Sequence, residues 1–258
     1  MRVLDLFAGL KGWSDPWKAR GHETFSIDLD ERFDVDAHLD IMDVEAVMDA
    51  LPWTPDVILA SPPCESFSVM TIGRNWNLDH TPKTDKARMA MDLVKATKHL
   101  ILEIGPSYFV IENPRAKLRK LDILTAFERR TVTYCQLGEK VMKPTDLWGG
   151  FPPSLVLPEM CRPRASCHIP AARGSKTGTQ GAGLLDGLHE SSRAWVESLP
   201  ERRGTKFRGG MIEQMARFPS WSPERKALSA LRAKIPERLS ILVCEAAERD
   251  MAALEAAA

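Results

Sequence analysis

No apolar run in this chain approaches the roughly 18–20 residues that a membrane-crossing helix needs, so the sequence offers no candidate span. A signal-peptide layout is also missing, because Met1-Arg2-Val3-Leu4-Asp5 enters a strand-like pattern at once. Neither internal repeats nor heptads occur, which excludes a solenoid and a coiled coil. The five cysteines are odd in number and irregularly spaced. That excludes a secreted disulfide framework and points to a reducing compartment. Net charge is missing too, with 35 basic residues balancing 35 acidic ones. The expectation is a cytoplasmic, monomeric protein whose 258 residues suffice for one α/β domain and a small appendage.

The zero balance conceals an asymmetry. Residues 1–60 hold 5 basic and 13 acidic side chains, a net of −8, whereas residues 162–234 hold 14 basic and 6 acidic, a net of +8. A basic third quarter is what a polyanion attracts, and nucleic acid is the expected partner.

Short apolar runs alternate with helical patterns along the first half. Arg2 to Phe7, Thr24 to Ile27, Asp56 to Ala60 and Tyr108 to Ile111 read as strands; Trp13 to Arg20 and Val44 to Leu51 read as helices. Thr84 or Asp85 is placed to cap a further helix, in which Met89, Leu93, Val94, Leu100 and Ile101 recur at helical spacing. Such alternation predicts a doubly wound, mostly parallel α/β sheet. Cys64 to Lys83 reads as a long polar loop. After Gly149 the composition shifts to Pro, Gly, Arg and Ser, with helical patterns returning near Gly209 to Phe218 and from Ser222 onward. The division expected is 1–150 catalytic, 151–221 a small basic lobe, and 222–258 a helix returning to the first domain.

In such a sheet, ligands bind beyond the carboxyl ends of the strands. The first run ends in a glycine turn, Phe7-Ala8-Gly9-Leu10-Lys11-Gly12. The second ends in Asp28, where a carboxylate can accept from ribose hydroxyls, and Asp40 can accept from an adenine amino group. The third ends in Ser61-Pro62-Pro63-Cys64, a thiol behind two stiffening prolines. The fourth delivers Glu112-Asn113-Pro114 to the same edge, so that thiol and carboxyl form a candidate nucleophile and general acid.

These motifs together resemble the DNA cytosine carbon-5 methyltransferases, especially compact phage and prophage members. DLFAGLKGWS resembles the first cofactor motif of that family, SPPCESFS its catalytic Pro-Cys motif and IENP its Glu-Asn motif. The resemblance implies S-adenosylmethionine as cofactor and DNA as substrate. Cys64 would attack carbon-6 of a flipped cytosine, with Glu112 at ring nitrogen-3 and Asn113 beside it. Phe7, Ala8, Gly9 and Gly12 would surround the cofactor, with Asp28 at its ribose, Leu29, Asp40 and Ile41 at its adenine, and Pro62 alongside. Ser66 to Lys83 would close over the base, with Arg74 on a phosphate.

The departures carry expectations of their own. Lys11 stands where the family usually has glycine. No Gln-x-Arg-x-Arg motif is recognisable; Tyr134-Cys135-Gln136-Leu137 and Met142-Lys143-Pro144-Thr145 occupy its place, and Lys143 takes the arginine's task of supporting the base. Arg173 and Lys176, in a polar Gly-rich stretch, are expected on DNA phosphates. Residues 232–239 are a variant of the last motif without its Gly-Asn, which puts Lys234 near the cofactor. That position raises an alternative: a carboxylated S-adenosylmethionine and a 5-carboxymethylcytosine product, with Lys11 a weaker candidate for the same charge. Two rivals stand outside this reading: an amino-methyltransferase, which needs no thiol, and an inactive DNA-binding module. Cys161, Cys167 and His168 match no standard zinc spacing and show no fourth ligand, so no metal is expected.

Overall fold

In the computed structural model, residues 1–69, 71–139, 141–162, 165–168, 229–231 and 233–257 are described. Six strands form one sheet: β1 (Arg2–Leu6), β2 (Glu23–Ile27), β3 (Val57–Ala60), β4 (Tyr108–Pro114), β5 (Glu128–Thr133) and β6 (Pro144–Gly150). Their order is β2-β1-β3-β4-β6-β5. The first four run parallel, and β6 lies antiparallel between β4 and β5. The parallel half matches the sequence reading, whereas β5 and β6 are additions to it.

Alternation along the strands divides the core into two layers. Val3, Val57, Leu59 and Val110 face one side, where they meet Trp13, Trp17 and the C-terminal helix. Leu4, Leu6, Ile58, Ala60 and Ile111 face the other, against Val47, Val94, Leu100 and Ile101. Both faces are buried, which is why these strands read as nearly unbroken apolar runs.

Among the described residues the helices with set bounds are α1 (Ser14–Ala19), α2 (Val44–Ala50), α3 (Ile72–Asn75), α4 (Asp85–Ile104) and α5 (Glu237–Ala257). Thr84 caps α4, its side chain accepting from Ala87 N at 3.2 Å. The buried stripe of α4 is Ala87, Val94, Thr97, Leu100 and Ile101. Met89 lies in this helix as its spacing implies, but off the buried stripe, at 71% exposure. The helical pattern expected from Ser222 is seen at residues 229–231 and 233, while residues 222–228 lie outside the described residues. A break at 234–236 then separates it from α5, where Pro236 lacks the N–H that a continuous helix would need and suits a helix start. Leu239, Val243, Ala246 and Ala247 form the apolar stripe of α5. Ser240 Oγ donates to Trp13 O at 2.6 Å and Arg20 pairs with Glu248 at 2.6 Å, fastening α5 to α1.

Candidate active site

The carboxyl ends of β1 to β4 meet along one edge, and the turn after β1 is the most constrained backbone there. Phe7, Gly9 and Lys11 have φ of +59°, +51° and +52°. Gly9 takes that conformation freely, whereas Lys11 does so at a cost of roughly 1–2 kcal/mol. The family's customary glycine at this position thus has a physical reason that Lys11 overrides. Lys11 Nζ pairs with Asp34 at 3.1 Å.

Gly9 N donates to Asp28 Oδ2 and Asp30 N to Asp28 Oδ1, each at 2.9 Å. Burial raises the Asp28 pKa against those two donors. Gly12 is required by a close approach, since a Cβ there would sit 2.9 Å from the backbone N and O of Ile235. The last motif therefore packs directly on the first. Leu29 is 64% exposed beside Asp28, and Asp40 is exposed, its Oδ1 accepting from Met42 N. Ile41 differs from expectation: its side chain is packed in the core, so it supports the edge rather than lining it.

The Pro-Cys loop is held from the start of α1 and from β4. Trp13 Nε1 donates to Ser61 Oγ at 2.9 Å, and Asn113 Nδ2 donates to Pro62 O at 2.9 Å. Asn113 is fully buried, and Pro62 is buried as well. Cys64 follows, half-buried, its carbonyl accepting from Phe67 N and Ser68 N. On the adjacent strand Glu112 is 4% exposed. Tyr134 donates its hydroxyl to Glu112 Oε1 at 2.9 Å, and Lys143 Nζ lies 3.7 Å from the same oxygen and over the Tyr134 ring. Burial, then the Glu112 charge, raises the Tyr134 pKa well above its ordinary value, so its proton stays in place as a donor.

This combination of a thiol on one strand end and a gripped carboxyl on the next coincides with the reach of a family model, "C-5 cytosine-specific DNA methylase", over residues 1–128. A protein of Frog virus 3 (isolate Goorha) named "Probable DNA (cytosine-5)-methyltransferase" is 30% identical over 174 residues, 65% of this chain and 78% of that one. The chain belongs to the C-5 cytosine-specific DNA methylases. A second relative of this methylase, the "Type II methyltransferase M.HgiGI" of Herpetosiphon aurantiacus, is 29% identical over 133 residues, 47% of this chain and 97% of that one. In fold, the methylase resembles a crystal structure of a candidate DNA modification methyltransferase encoded within an E. coli prophage. The TM-score is 0.52 at 12% identity, over 97% of this chain and 99% of that one. Membership makes the chain an enzyme, which sets aside the reading of an inactive binding module. It also implies S-adenosylmethionine as the cofactor.

Other expected residues are less closely gathered. The loop after Cys64 is partly pinned: Phe67 and Trp76 are buried and stacked 5.7 Å apart, and Lys117 Nζ lies 5.0 Å above the Trp76 ring. A short helix, α3, interrupts the predicted loop, and Arg74 is exposed on it. Lys234 is half-buried and immediately precedes the Ile235 that packs on Gly12. Arg173, Lys176 and the pattern near Gly209 to Phe218 lie outside the described residues. No described helix is long and apolar enough to cross a membrane.

Sequence reasoning missed Tyr134 as a site residue; its place in the stretch that replaces the arginine motif was the available signal. It also missed Cys135, which lies in the 3-10 turn Tyr134–Leu137. The Cys135, Cys161 and Cys167 sulfurs and one His168 ring nitrogen all lie within 4.8 Å of one another. Contact with His168 lowers the Cys167 pKa, while the hydrogen bond with Cys167 raises that of Cys161.

Proposed function

We propose that this enzyme methylates carbon-5 of cytosine in DNA through a covalent adduct with Cys64, with Glu112 acting at ring nitrogen-3. The observation that carries this reading is the gripped carboxyl: Glu112 Oε1 is held by Tyr134 and Lys143 on a strand whose next residue, Asn113, is tied to the Cys64 loop. An amino-methyltransferase has no use for either the thiol or its coupling to that carboxyl.

The chemistry follows from these groups. Cys64 as thiolate forms a bond to carbon-6, and the displaced electron pair of the 5,6 double bond makes carbon-5 nucleophilic as nitrogen-3 takes a proton from Glu112. S-adenosylmethionine, when bound, supplies the methyl group that carbon-5 receives. The carbon-5 proton then leaves to solvent, the sulfur–carbon bond breaks with the double bond restored, and the nitrogen-3 proton returns to Glu112. Tyr134 and Lys143 keep the carboxyl oriented throughout, and positioning of this kind is a substantial part of a barrier reduction. A cytosine inside a duplex cannot reach Cys64, so the base is turned out of the stack.

The +8 balance of residues 162–234 supports phosphate contacts from the 151–221 lobe, including Arg173 and Lys176, with Arg74 on the loop side. The 1–150 region would then carry catalysis, and 222–258 would return to it. So small a lobe reads few base pairs, on the order of two to four, because each needs its own side chain in a groove.

One observation favours a second reading of the transferred group. Ile235 lies against Gly12, which brings the neighbouring Lys234 to the cofactor turn. A cation there suits a carboxylated S-adenosylmethionine better than the ordinary sulfonium. Lys11, engaged with Asp34, is a poorer candidate. Mass spectrometry of nucleosides from DNA of cells expressing the enzyme tests both readings. The first expects 5-methylcytosine and the second 5-carboxymethylcytosine, while N4-methylcytosine or unmodified DNA would contradict both.

A further inference from the structure

We propose that Cys135, Cys161, Cys167 and His168 bind one zinc ion, which fastens the segment after β6 to the wall of the active site. The four come from two stretches of chain, the 3-10 turn after β5 and residues 161–168 beyond β6. The antiparallel return of β6 brings those stretches together. Cys161 Sγ lies 3.1 Å from Cys167 Sγ and 3.4 Å from His168 Nδ1, and Cys167 Sγ lies 3.5 Å from the same nitrogen.

Three sulfurs and one imidazole are the donor set of a closed, tetrahedral, structural zinc site. Thiolates select zinc over the oxygen-seeking magnesium and calcium. Zinc–sulfur bonds of about 2.3 Å place tetrahedral sulfurs about 3.8 Å apart. The ion would therefore open the 3.1 Å Cys161–Cys167 separation by about 0.7 Å and leave the sulfur–nitrogen distances nearly unchanged. The Cys161–Cys167 separation is well beyond a disulfide, whose sulfurs lie about 2.05 Å apart.

Supporting contacts are also in place. Gln136 Nε2 donates to Cys167 Sγ at 3.1 Å, and Cys161 N donates to Thr133 Oγ1 at 2.9 Å. Partners of this kind orient ligating groups. Residues 161–162 and 165–168 form no helix or strand, so weak thiol contacts alone hold little there. A metal bond supplies what regular structure does not.

The position gives the ion a consequence for catalysis. Cys135 is bonded in sequence to Tyr134, the donor that holds Glu112. Tyr134 is thus fixed from one side by the carboxyl and from the other by the metal. His22, Cys244 and Glu248 also converge, but that carboxylate is already paired with Arg20, so they serve as a control.

The test is the metal content of the full-length enzyme, expressed without a histidine tag and purified without chelator. One zinc per chain is expected, kept in Cys244→Ser and lost in Cys161→Ser and Cys167→Ser. Cobalt(II) in its place should give thiolate charge-transfer bands and the visible absorption of a tetrahedral ion. Should the serine variants fail to fold, alkylation mapping of the unaltered enzyme decides instead. Cys135, Cys161 and Cys167 should be protected until a chelator is added, and the unfolding midpoint should then fall by about 5 °C or more. No zinc with none taken up on addition, a Cys161–Cys167 disulfide seen as the loss of two hydrogens, or zinc undiminished in the serine variants would each overturn the proposal. None of these readouts depends on whether the enzyme methylates DNA.

Discussion

Asn113 donates from Nδ2 to the main-chain oxygen of Pro62 at 2.9 Å, which joins the strand carrying the carboxyl to the loop carrying the thiol. Asn113 is fully buried, and its own Oδ1 has no hydrogen-bond partner among the described residues. In the proposed mechanism this bond would hold Cys64 and Glu112 in register. In Asn113→Ala the Pro62 carbonyl loses its donor inside the protein, at a cost of about 1–3 kcal/mol. Turnover should fall by roughly 100-fold, the scale of a 1 Å misplacement, while the KM for cofactor changes little. A proportional rise in KM with unchanged kcat would instead place Asn113 in cofactor binding.

Tyr134→Phe removes one hydroxyl from beside Glu112 and leaves the ring that Lys143 covers. Taking a hydrogen-bond donor away from a buried oxygen costs about 1–3 kcal/mol, so turnover should drop roughly 10–100-fold with the fold retained. Lys143→Met should act in the same direction. Steady-state kinetics with unfolding curves checks both, and full activity in the phenylalanine variant would remove Tyr134 from the account.

How much of this was legible in the sequence depends on where each residue stands. Cys64 follows one apolar strand and Glu112 lies towards the end of its parallel neighbour, so their placement at one edge could be read from the strand pattern. β5 could not, because Glu128-Arg129-Arg130 gives an edge strand the charged surface of a loop. β6 begins with proline and ends with two glycines, residues that argue against a strand between two others. Without those strands nothing brings Tyr134 to Glu112 or Cys135 to Cys161. The missed residues are the ones whose partners lie across the antiparallel return.

Arg119 and Asp146 illustrate the same return at the level of stability. Arg119 Nε lies 2.9 Å from Asp146 Oδ2, Nη2 donates to Oδ1 at 3.1 Å, and the Asp146 side chain is 0% exposed. Thr131 adds a 2.7 Å bond to the same carboxylate. Arg119→Met leaves that charge buried and uncompensated and should destabilise the fold by about 3–5 kcal/mol. Urea unfolding measures it; a loss below about 1 kcal/mol would mark the pair as no better than a surface one.

Asp5 predicts a pH dependence. Burial, opposed by two hydrogen bonds from Ser14, raises its pKa from 3.8 to about 7. Between those values the folded protein keeps the proton and the unfolded chain releases it. This group's contribution is therefore complete below pH 3.8 and is lost as pH rises towards about 7. The slope approaches about 1.4 kcal/mol per pH unit in that window. Asp5→Asn should remove it, seen as a difference between the two proteins in urea titrations across the range. Parallel curves would show that Asp5 ionises normally in the folded protein.

The central claim is the bond between Cys64 and carbon-6, and trapping that bond tests it most directly. DNA made with 5-fluorocytosine throughout contains every target sequence, and fluorine at carbon-5 cannot leave as the proton does. Incubation with S-adenosylmethionine should yield a complex that survives denaturation, with peptide mapping placing the DNA on Cys64 and no complex from Cys64→Ala. Absence of any adduct from an active enzyme, or an adduct that persists in the alanine variant, would contradict the account.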